Sequence, residues 1–389
     1  MPAKCLDESG CKKRKRMLTT VKSQKLTVLI MAAGTGGHVF PALSIADALT
    51  NRSVNVEWLG TSQGMENELL AGTPYVLHRI SVRGLRGSNL LHKILAIFML
   101  LKAFAQSIRV ISKVKPHCIL GMGGFVCGPA GIAARLMRKP LLIHEQNAVA
   151  GITNKILGRF ADRVLESFPG TFNSSNRVKF TGNPLRNSIV CLNKTESTLQ
   201  NFKEDRPLNI LVLGGSQGAA AINCVVPEML VGWGETNRPH VFHQAGSAML
   251  RETKLLYRSL DLLDDATCRV VPFIEDMAEA YTWADLVICR SGASTVSELA
   301  AVGCASILIP YPYHHDQQQT LNARWLTRKD AAYLIHQVDL SPKAVLDIVK
   351  DLDCNRDKLF KIGQRARAMA VYDASDVIVE ECMELVDAG

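Results

Sequence analysis

The chain of 389 residues is 47% hydrophobic and 21% charged, a composition typical of folded globular proteins that excludes wholesale disorder. Its formal net charge of +9 favours anionic partners, namely nucleic acid, phosphorylated metabolites or an acidic membrane surface, without choosing among them. The eleven cysteines are scattered and form no Cys-x-x-Cys pair, which argues against a zinc ribbon or a disulfide scaffold and favours a reducing cytoplasm.

The chain begins with a basic segment. Lys12–Arg16 is an unbroken basic run, and no apolar core of a signal peptide follows it directly. We therefore expect residues 1–24 to form a disordered basic tail.

Short apolar runs alternate with helix-length stretches after this tail. The first run, Leu26–Met31, is followed by a Gly-rich turn and by the helical pattern Pro41–Leu49. Further strands of this half are predicted at Val54–Leu59, Val76–Ile80, Cys118–Leu120, Leu141–His144 and Arg163–Glu166. This alternation is typical of a parallel sheet that helices cover on both faces.

The same pattern starts again in the second half. Asn209–Leu213 is apolar and leads through a second Gly-rich turn into an Ala-rich helix. Later strands are predicted at Val241–His243, Arg269–Val271, Leu286–Cys289, Ile307–Ile309 and Tyr333–Ile335. The polar, Pro-broken segment from Gly182 to Pro207 marks the linker. The sequence therefore predicts an α/β protein with two Rossmann-like domains whose parallel sheets face each other across a cleft.

Glycine-rich turns open the first helix of each half, at Gly34–His38 and at Gly214–Gly218, and a third Gly-rich stretch spans Gly121–Phe125. A strand, a Gly-rich turn and a helix N-terminus together form a natural cradle for a diphosphate. The first turn does not complete the dinucleotide pattern G-x-G-x-x-G, because Val39 occupies the third glycine position, and no P-loop pattern occurs.

Several ordered segments together resemble one family. They are Gly34–Ala42, Gly121–Phe125 with Gly128-Pro129, His144–Asn147, Gly151–Lys155, Gly182–Arg186, Gly214–Ala219, Arg290–Thr295 with Ser297-Glu298, and Asp316–Gln319 with Asn322-Ala323. From about residue 25 to the C-terminus, their order and spacing resemble the MurG family, the bacterial N-acetylglucosaminyltransferases of peptidoglycan synthesis. Phe125 and Cys127 stand where that family would have Tyr and Ser, and both changes are conservative in size.

The resemblance implies a GT-B fold. Residues 25–186 would form an acceptor- and membrane-binding domain, and residues 187–370 a domain that binds UDP-N-acetylglucosamine. Residues 371–389 would carry a helix, predicted at Ser375–Leu385, that crosses back to the first domain. The implied reaction is the inverting transfer of N-acetylglucosamine from UDP-N-acetylglucosamine to the C4 hydroxyl of the muramoyl sugar of lipid I, giving lipid II. The implied location is peripheral, on the cytoplasmic face of the cell inner membrane.

Departure of UDP requires that the charge of its diphosphate be neutralised. Asp351-Leu352-Asp353 has the form of a metal-binding D-x-D string, but it ends the predicted helix Ala344–Asp351, and a solvated helix end is the favoured interpretation. We therefore expect no metal and no cofactor, with backbone N–H groups near Ser216 and at the turn before Ser294 receiving the diphosphate.

Glu298 is the candidate acceptor for both ribose hydroxyls, because a carboxylate accepts from two O–H groups. The alternative is an acid in the first turn of a helix, where the helix dipole favours it. The resemblance implies the functional interpretation and adds that the backbone of Ile274 meets the uracil. It also implies that Asn147, Gln318 and Gln319 bind the sugar hydroxyls and the acetamide, and that Arg186 binds the diphosphate or the sugar. Further substrate contacts are implied in the helix-opening turns, at Thr35, Gly36, Gly37, Ser216, Ala293, Ser294, Thr295, Val296 and Ser297.

His38 is the leading candidate for the base that takes the proton from the acceptor hydroxyl. Histidine has a reference pKa of about 6.5, so its ring can accept a proton near neutral pH. The alternative is a histidine that only hydrogen-bonds the acceptor diphosphate. Glu145 is a rival base at the end of a facing strand.

If residues 90–115 form a helix, successive side chains are rotated by about 100° around its axis, and the segment has two distinct faces. One helical face, with Ile97, Leu100, Phe104, Ile108 and Ile111, is predicted to be buried. The opposite face begins apolar and ends basic. It consists of Leu91, Leu95, Phe98, Lys102, Gln106, Arg109 and Lys113. Docking on an anionic lipid surface would explain this pattern. The alternatives are contact with another part of the protein or a break in the helix. No uncharged apolar run here approaches the length of a membrane span.

Other functions stay open on the residues alone. A UDP-sugar epimerase, or a glycosyltransferase that acts on another lipid, would share the Glu298 ribose site without lipid I. A nucleic-acid-binding protein is disfavoured, and no nucleic acid partner is expected, because the basic residues beyond the tail are dispersed and the 6% aromatic residues are not interleaved with them. An NAD dehydrogenase would need the missing glycine, and Glu57 precedes Trp58 instead of ending its strand.

Overall fold

The structure, a computed structural model, describes residues 26–83, 90–192, 206–215, 218–263 and 266–387, and it leaves the side chains of residues 90–94 undescribed. The tail predicted at residues 1–24, the candidate Ser216 and the side chain of Leu91 lie outside the described residues.

The first half of the chain forms a wholly parallel sheet in the order β3-β2-β1-β4-β5-β6-β7. Its strands are β1 (Thr27–Ala32), β2 (Asn55–Thr61), β3 (Val76–Ile80), β4 (Cys118–Gly123), β5 (Leu141–Glu145), β6 (Arg163–Glu166) and β7 (Val178–Phe180). The helices of this half are α1 (Gly36–Asn51), α2 (Glu66–Leu69), α3 (Leu90–Val114), α4 (Cys127–Leu136), α5 (Ile152–Leu157) and α6 (Asn187–Val190). β4 and β5 are buried at every position because helices cover both faces of the sheet.

The second half forms another wholly parallel sheet in the order β10-β9-β8-β11-β12-β13. Its strands are β8 (Asn209–Leu213), β9 (His240–Gln244), β10 (Cys268–Val271), β11 (Leu286–Cys289), β12 (Ala305–Leu308) and β13 (Tyr333–Leu334). Its helices are α7 (Ala220–Trp233), α8 (Leu250–Ser259), α9 (Met277–Trp283), α10 (Ala293–Val302), α11 (Gln318–Thr327), α12 (Pro342–Cys354) and α13 (Arg356–Arg367). The predicted fold class, two parallel-sheet Rossmann-like units, is confirmed.

Every predicted strand is present, with ends that differ by a few residues at most. β7 was not predicted, because it is an edge strand of three residues in which Lys179 and Phe180 are exposed, so it lacks the apolar pattern of the buried strands.

The last helix, α14 (Ala374–Asp387), packs against α1 and β4 of the first half. Ile378, Val379 and Cys382 are completely buried there. The carboxylate of Glu381 accepts hydrogen bonds from Arg163 at 3.0 Å and from Lys179 at 2.7 Å.

The strand order of each sheet reverses beside its first strand, between β1 and β4 and between β8 and β11. In parallel α/β sheets, ligands bind at such switch points, beyond the carboxyl ends of the strands. The turn after β1 opens α1 and the turn after β11 opens α10, so both switch points lie next to a helix N-terminus.

Candidate active site

A buried carboxylate binds the turn after β1. Glu66 is completely buried, and its Oε2 accepts a hydrogen bond from the backbone N–H of Gly34 at 3.0 Å while Oε1 accepts from Thr61. The side chain of Thr35 precedes α1 without capping it. The first N–H groups of α1, at Gly36 and Gly37, therefore remain available to a ligand.

His38 lies in the first turn of α1 with the Nδ1 edge of its ring against protein. Nδ1 lies 2.9 Å from Oε1 of Gln146, the residue after β5. The backbone of Gly123 lies against the His38 ring, so closely that a Cβ added to Gly123 would be 2.5 Å from Nδ1 of His38. The φ of Gly123, +114°, is also one that favours glycine. The third Gly-rich stretch therefore lets the backbone pack directly against the His38 ring.

Glu145, the rival base, is 3% exposed, and both of its oxygens are occupied. Oε1 accepts from the backbone and side-chain N–H groups of Asn147 at 3.0 and 3.2 Å. Oε2 accepts from the Gly151 N–H at 3.0 Å and the Asn154 amide at 2.9 Å. These contacts make Glu145 the residue that holds the loop 147–154 in place.

On the second half, Glu298 lies one turn into α10. The helix begins at Ala293 and has no acid in its first turn, so the alternative that Glu298 is only a first-turn acid is wrong. Its side chain is 12% exposed. Oε1 accepts from the Arg186 guanidinium at 2.9 Å and Oε2 from the Tyr281 hydroxyl at 2.9 Å. Burial and the nearby Glu298 charge hold the pKa of Tyr281 well above its usual range, so this hydroxyl stays a donor.

Two polar atoms beside this carboxylate lack partners among the described residues. They are the Oγ of Ser294, in the first turn of α10, and the Nε of Arg186, and both are buried. The N–H groups of Ala293, Ser294 and Thr295 precede the first intrahelical bond of α10, which Val296 donates to Gly292. A polar ligand at this helix end would meet several unsatisfied donors.

The other predicted donor contacts differ in what they can offer. Val296 is completely buried in the core and its N–H already donates to Gly292, so it offers a ligand no free donor. Ala293 is 8% exposed, and Thr295 and Ser297 are partly exposed. Ile274 is 4% exposed, and its N–H already donates to the Gln244 side chain at 3.1 Å. The carbonyl is therefore the backbone group that Ile274 has left for a base.

Of the predicted amide residues, Asn147 contacts the second half through Asn322, whereas Gln318 and Gln319 bond to neighbours within the second half. Asn322, completely buried, donates to Asn147 Oδ1 at 3.2 Å and accepts from the Ala148 N–H at 2.8 Å. Gln319 Oε1 accepts from the Tyr311 N–H at 2.9 Å, which leaves its amide NH₂. Gln318 bonds through its NH₂ to the His314 ring at 2.7 Å, which leaves its carbonyl.

The D-x-D string lies within α12, near its C-terminal end, as expected. Asp351 accepts from Lys358 at 2.6 Å, and Asp353 pairs with Arg356. Within the described part of the chain, no group of three or more His, Cys, Asp or Glu side chains is placed to hold a metal ion.

The later turns of helix α3 pack against the protein, whereas its first described turns are exposed. Its later turns pack on the sheet through Ala103, Ser107 and Ile111, which are completely buried. The prediction that Ile97 and Leu100 are buried is wrong, because they are 57% and 38% exposed. The exposed apolar residues of the first turns are Leu95, Ile97, Phe98, Leu100 and Leu101, and they are followed by exposed Lys102 and Arg109. We call these seven residues the α3 surface.

Among the described residues, Leu95–Val114 is the one helical stretch long and apolar enough to cross a membrane by length and composition. The core helix of a soluble protein passes the same test, and the buried turns of α3 pack against α4. Length and composition therefore do not assign a membrane span to α3.

Sequence reasoning missed three residues that position this site. Tyr281 and Glu66 stand in segments without any motif, and only the folded chain brings them to Glu298 and Gly34. Gln146 belongs to the quoted segment His144–Asn147, but nothing in its spacing pointed to His38.

Comparison with known proteins places both halves in one family. Residues 28–166 match the glycosyltransferase family 28 N-terminal domain, and residues 209–378 match the glycosyltransferase family 28 C-terminal domain. The chain is similar to the UDP-N-acetylglucosamine--N-acetylmuramyl-(pentapeptide) pyrophosphoryl-undecaprenol N-acetylglucosamine transferase of Cellvibrio japonicus, with 47% identity over 92% of this chain and 98% of that one. The enzyme of the same name from Marinobacter nauticus is 44% identical over 93% of this chain and 98% of that one.

Solved structures agree. The crystal structure of Acinetobacter baumannii MurG has a TM-score of 0.77 and 39% identity, covering 92% of this chain and 99% of that chain. The UDP-GlcNAc 2-epimerase of Neisseria meningitidis has a TM-score of 0.65 but 13% identity over 92% of this chain and 100% of that chain, so it shares the fold alone. The expected GT-B fold and the resemblance to the MurG family are confirmed, and the chain belongs to glycosyltransferase family 28.

Proposed function

We propose that this protein transfers N-acetylglucosamine from UDP-N-acetylglucosamine to the C4 hydroxyl of the muramoyl sugar of lipid I, with inversion and without a metal ion. The observation that carries this proposal is the position of Arg186. Its guanidinium donates a hydrogen bond at 2.9 Å to Glu298, in the second half of the chain. The same guanidinium lies 5.4 Å from the ring centre of Phe40, which follows His38 by two residues on α1. The candidate ribose acceptor and the candidate base therefore border one cleft.

The donor nucleotide lies against α10 in this proposal. Glu298 accepts from the ribose hydroxyls through its remaining lone pairs, and the carbonyl of Ile274 accepts from the uracil N–H. Ser294, the N–H groups that open α10, and Arg186 receive the diphosphate. Backbone N–H groups and a guanidinium can neutralise the departing UDP without a divalent ion.

His38 is the proposed base, and the geometry favours it over Glu145. The four hydrogen bonds accepted by Glu145 occupy both oxygens, whereas the Nε2 of His38 accepts none within the described residues. Asn147, Gln318 and Gln319 keep amide groups near the junction of the halves for the sugar hydroxyls and the acetamide.

An assay of UDP release with and without lipid I tests the activity. We expect UDP release that depends on a soluble lipid I analogue, a disaccharide product, and an unchanged rate in EDTA. UDP release without acceptor, or N-acetylmannosamine as a product, would favour an epimerase. A rate abolished by EDTA and restored by Mg²⁺ would contradict the metal-free departure.

We also propose that the α3 surface docks peripherally on the cytoplasmic face of the inner membrane. Its exposed apolar turns would enter the lipid interface, and Lys102 and Arg109 would meet anionic headgroups. This contact would bring the cleft to the polyprenyl-linked acceptor, whose sugar stays at the bilayer surface.

Vesicle flotation tests the docking surface, using phosphatidylethanolamine vesicles with and without phosphatidylglycerol. The double variant Leu95→Asp, Phe98→Asp should lose binding about tenfold or more, because two charges would enter the apolar interface. The control Val231→Asp, Leu255→Asp changes two apolar residues on α7 and α8 that are also more than half or about half exposed, and it should bind like the wild type. Intact binding by the first variant would show that the α3 surface is not the anchor.

A further inference from the structure

A chain of three side chains runs from the linker to His38. The Nε2 of His144 lies 3.0 Å from the carbonyl oxygen of Gly182. The Nδ1 of His144 lies 3.0 Å from Nε2 of Gln146, and Oε1 of Gln146 lies 2.9 Å from Nδ1 of His38. His144 and Gln146 are 0% and 1% exposed, so water does not compete for these bonds.

The direction of the chain follows from its first bond. A carbonyl oxygen only accepts, so the Nε2 of His144 carries a hydrogen and donates it to Gly182. Burial lowers the pKa of His144 from 6.5 to about 4, so the ring is neutral near pH 7 and its Nδ1 is an acceptor. The group of Gln146 that faces this Nδ1 must therefore be the amide NH₂.

A second backbone carbonyl gives the same orientation of Gln146 independently. The Nε2 of Gln146 also lies 3.3 Å from the carbonyl oxygen of His144. A flipped amide would place two oxygens at that distance, facing each other in a buried site. The Oε1 of Gln146 thus faces His38, and because it only accepts, the Nδ1 of His38 must carry a hydrogen.

We propose that Gln146 and His144 are positioning residues that hold neutral His38 in the Nδ1–H tautomer, which leaves the lone pair on Nε2. This inference rests on the proposed function, in which His38 is the base. A base needs its lone pair directed at the substrate, and the partner of the other ring nitrogen decides the tautomer. An amide and a second histidine here take the place of the carboxylate that orients many catalytic histidines.

The anchor of the chain lies in the linker. Gly182 has a φ of +75°, and an added Cβ would lie 2.6 Å from Val371, in the segment that leads to α14. The carbonyl that starts the chain therefore belongs to a residue that packs closely against the segment leading to α14.

Nitrogen-15 NMR of the intact, histidine-labelled protein tests the tautomer without any activity. A histidine side chain free in water prefers the Nε2–H form, so the expected Nδ1–H signature of His38 near pH 7.5 differs from the default. His38→Asn assigns the signal by its loss. A dominant Nε2–H form in the wild type would overturn the inference.

Gln146→Met keeps the length of the side chain but removes its hydrogen bonds to His38 and to His144. We expect His38 to lose the Nδ1–H preference and kcat to fall about 10- to 100-fold, with the donor KM within twofold of the wild type. The control is Ser167→Ala, because the Ser167 hydroxyl also touches Gly182 and His144, at 3.3 Å each, but makes no bond to His38. It should leave the tautomer unchanged.

The outcomes separate the inference from the proposed function. A wild-type enzyme that transfers N-acetylglucosamine while His38 is in the Nε2–H form would refute the inference alone. An Nδ1–H signature in a protein that transfers no sugar to lipid I would refute the proposed function alone. A Gln146→Met variant that keeps both the tautomer and kcat would remove Gln146 from the positioning role.

Discussion

Replacing Glu298 with glutamine is the sharpest test of the donor site. The carboxylate accepts from Arg186 and Tyr281 and is proposed to accept from two ribose hydroxyls as well. The guanidinium only donates, so the glutamine oxygen should turn to Arg186 and its NH₂ to Tyr281. One ribose hydroxyl then loses its acceptor, and the other keeps a neutral acceptor in place of a charged one.

The magnitude follows from the energies of such bonds. A hydrogen bond to a charged group contributes about 1.5–3 kcal/mol and a neutral one about 0.5–1.5 kcal/mol. Losing one charged bond and weakening another should cost about 2.5–4.5 kcal/mol, which raises the Kd for UDP about 70- to 2,000-fold.

Calorimetric titration with UDP, 2′-deoxy-UDP and 3′-deoxy-UDP measures this effect. The wild type should bind the deoxy analogues more weakly than UDP, and Glu298→Gln should show little further loss for at least one of them. Glu279→Gln is the control, because Glu279 is an exposed acid at the start of the neighbouring helix α9. Equal weakening of UDP and both analogues by Glu298→Gln would refute the ribose contact.

Two further changes probe the rest of the account. Gly123→Ala should displace the His38 ring, since the added Cβ would lie 2.5 Å from its Nδ1; kcat should fall about tenfold or more with UDP affinity kept. The control Gly72→Ala also places a side chain at a positive φ, +87°, but in open space. Equal kcat losses in the two variants would show that the clash with His38 is not the cause. Burial lowers the pKa of His243 from 6.5 to about 3, so the unfolded chain binds the proton first on acidification. The free energy of unfolding should therefore fall by about 1.6 kcal/mol for this residue between pH 6.5 and 5. Urea titrations should show a shallower fall for His243→Gln, and an unchanged slope would contradict this assignment.

The fold could be predicted because its signals are local. Each buried strand is an apolar run such as Leu286–Cys289, and each helix-opening turn carries glycines that stand out in the sequence. The edge strand β7 was not predicted, because its partly exposed residues do not form an apolar run. The interpretation of α3 failed in part for a similar reason: periodicity gives two faces but does not tell where a helix leaves the sheet, so Ile97 and Leu100 were expected inside.

The candidate site could be predicted only where motifs carry it. Glu298 and His38 stand in recognisable turns, whereas Tyr281 reaches Glu298 from α9, through tertiary packing alone. The contrast between His38 and Glu145 likewise required the folded loop, because residue type permits either as a base. Only the hydrogen bonds from residues 147–154 show that Glu145 is occupied.

The most direct measurement is single-turnover transfer of labelled N-acetylglucosamine to a lipid I analogue by His38→Ala, with UDP affinity measured in parallel. We expect transfer about 10²- to 10⁴-fold slower than that of the wild type, with UDP affinity unchanged. Transfer at nearly the wild-type rate would show that another group accepts the proton, and a parallel loss of UDP affinity would place His38 in donor binding.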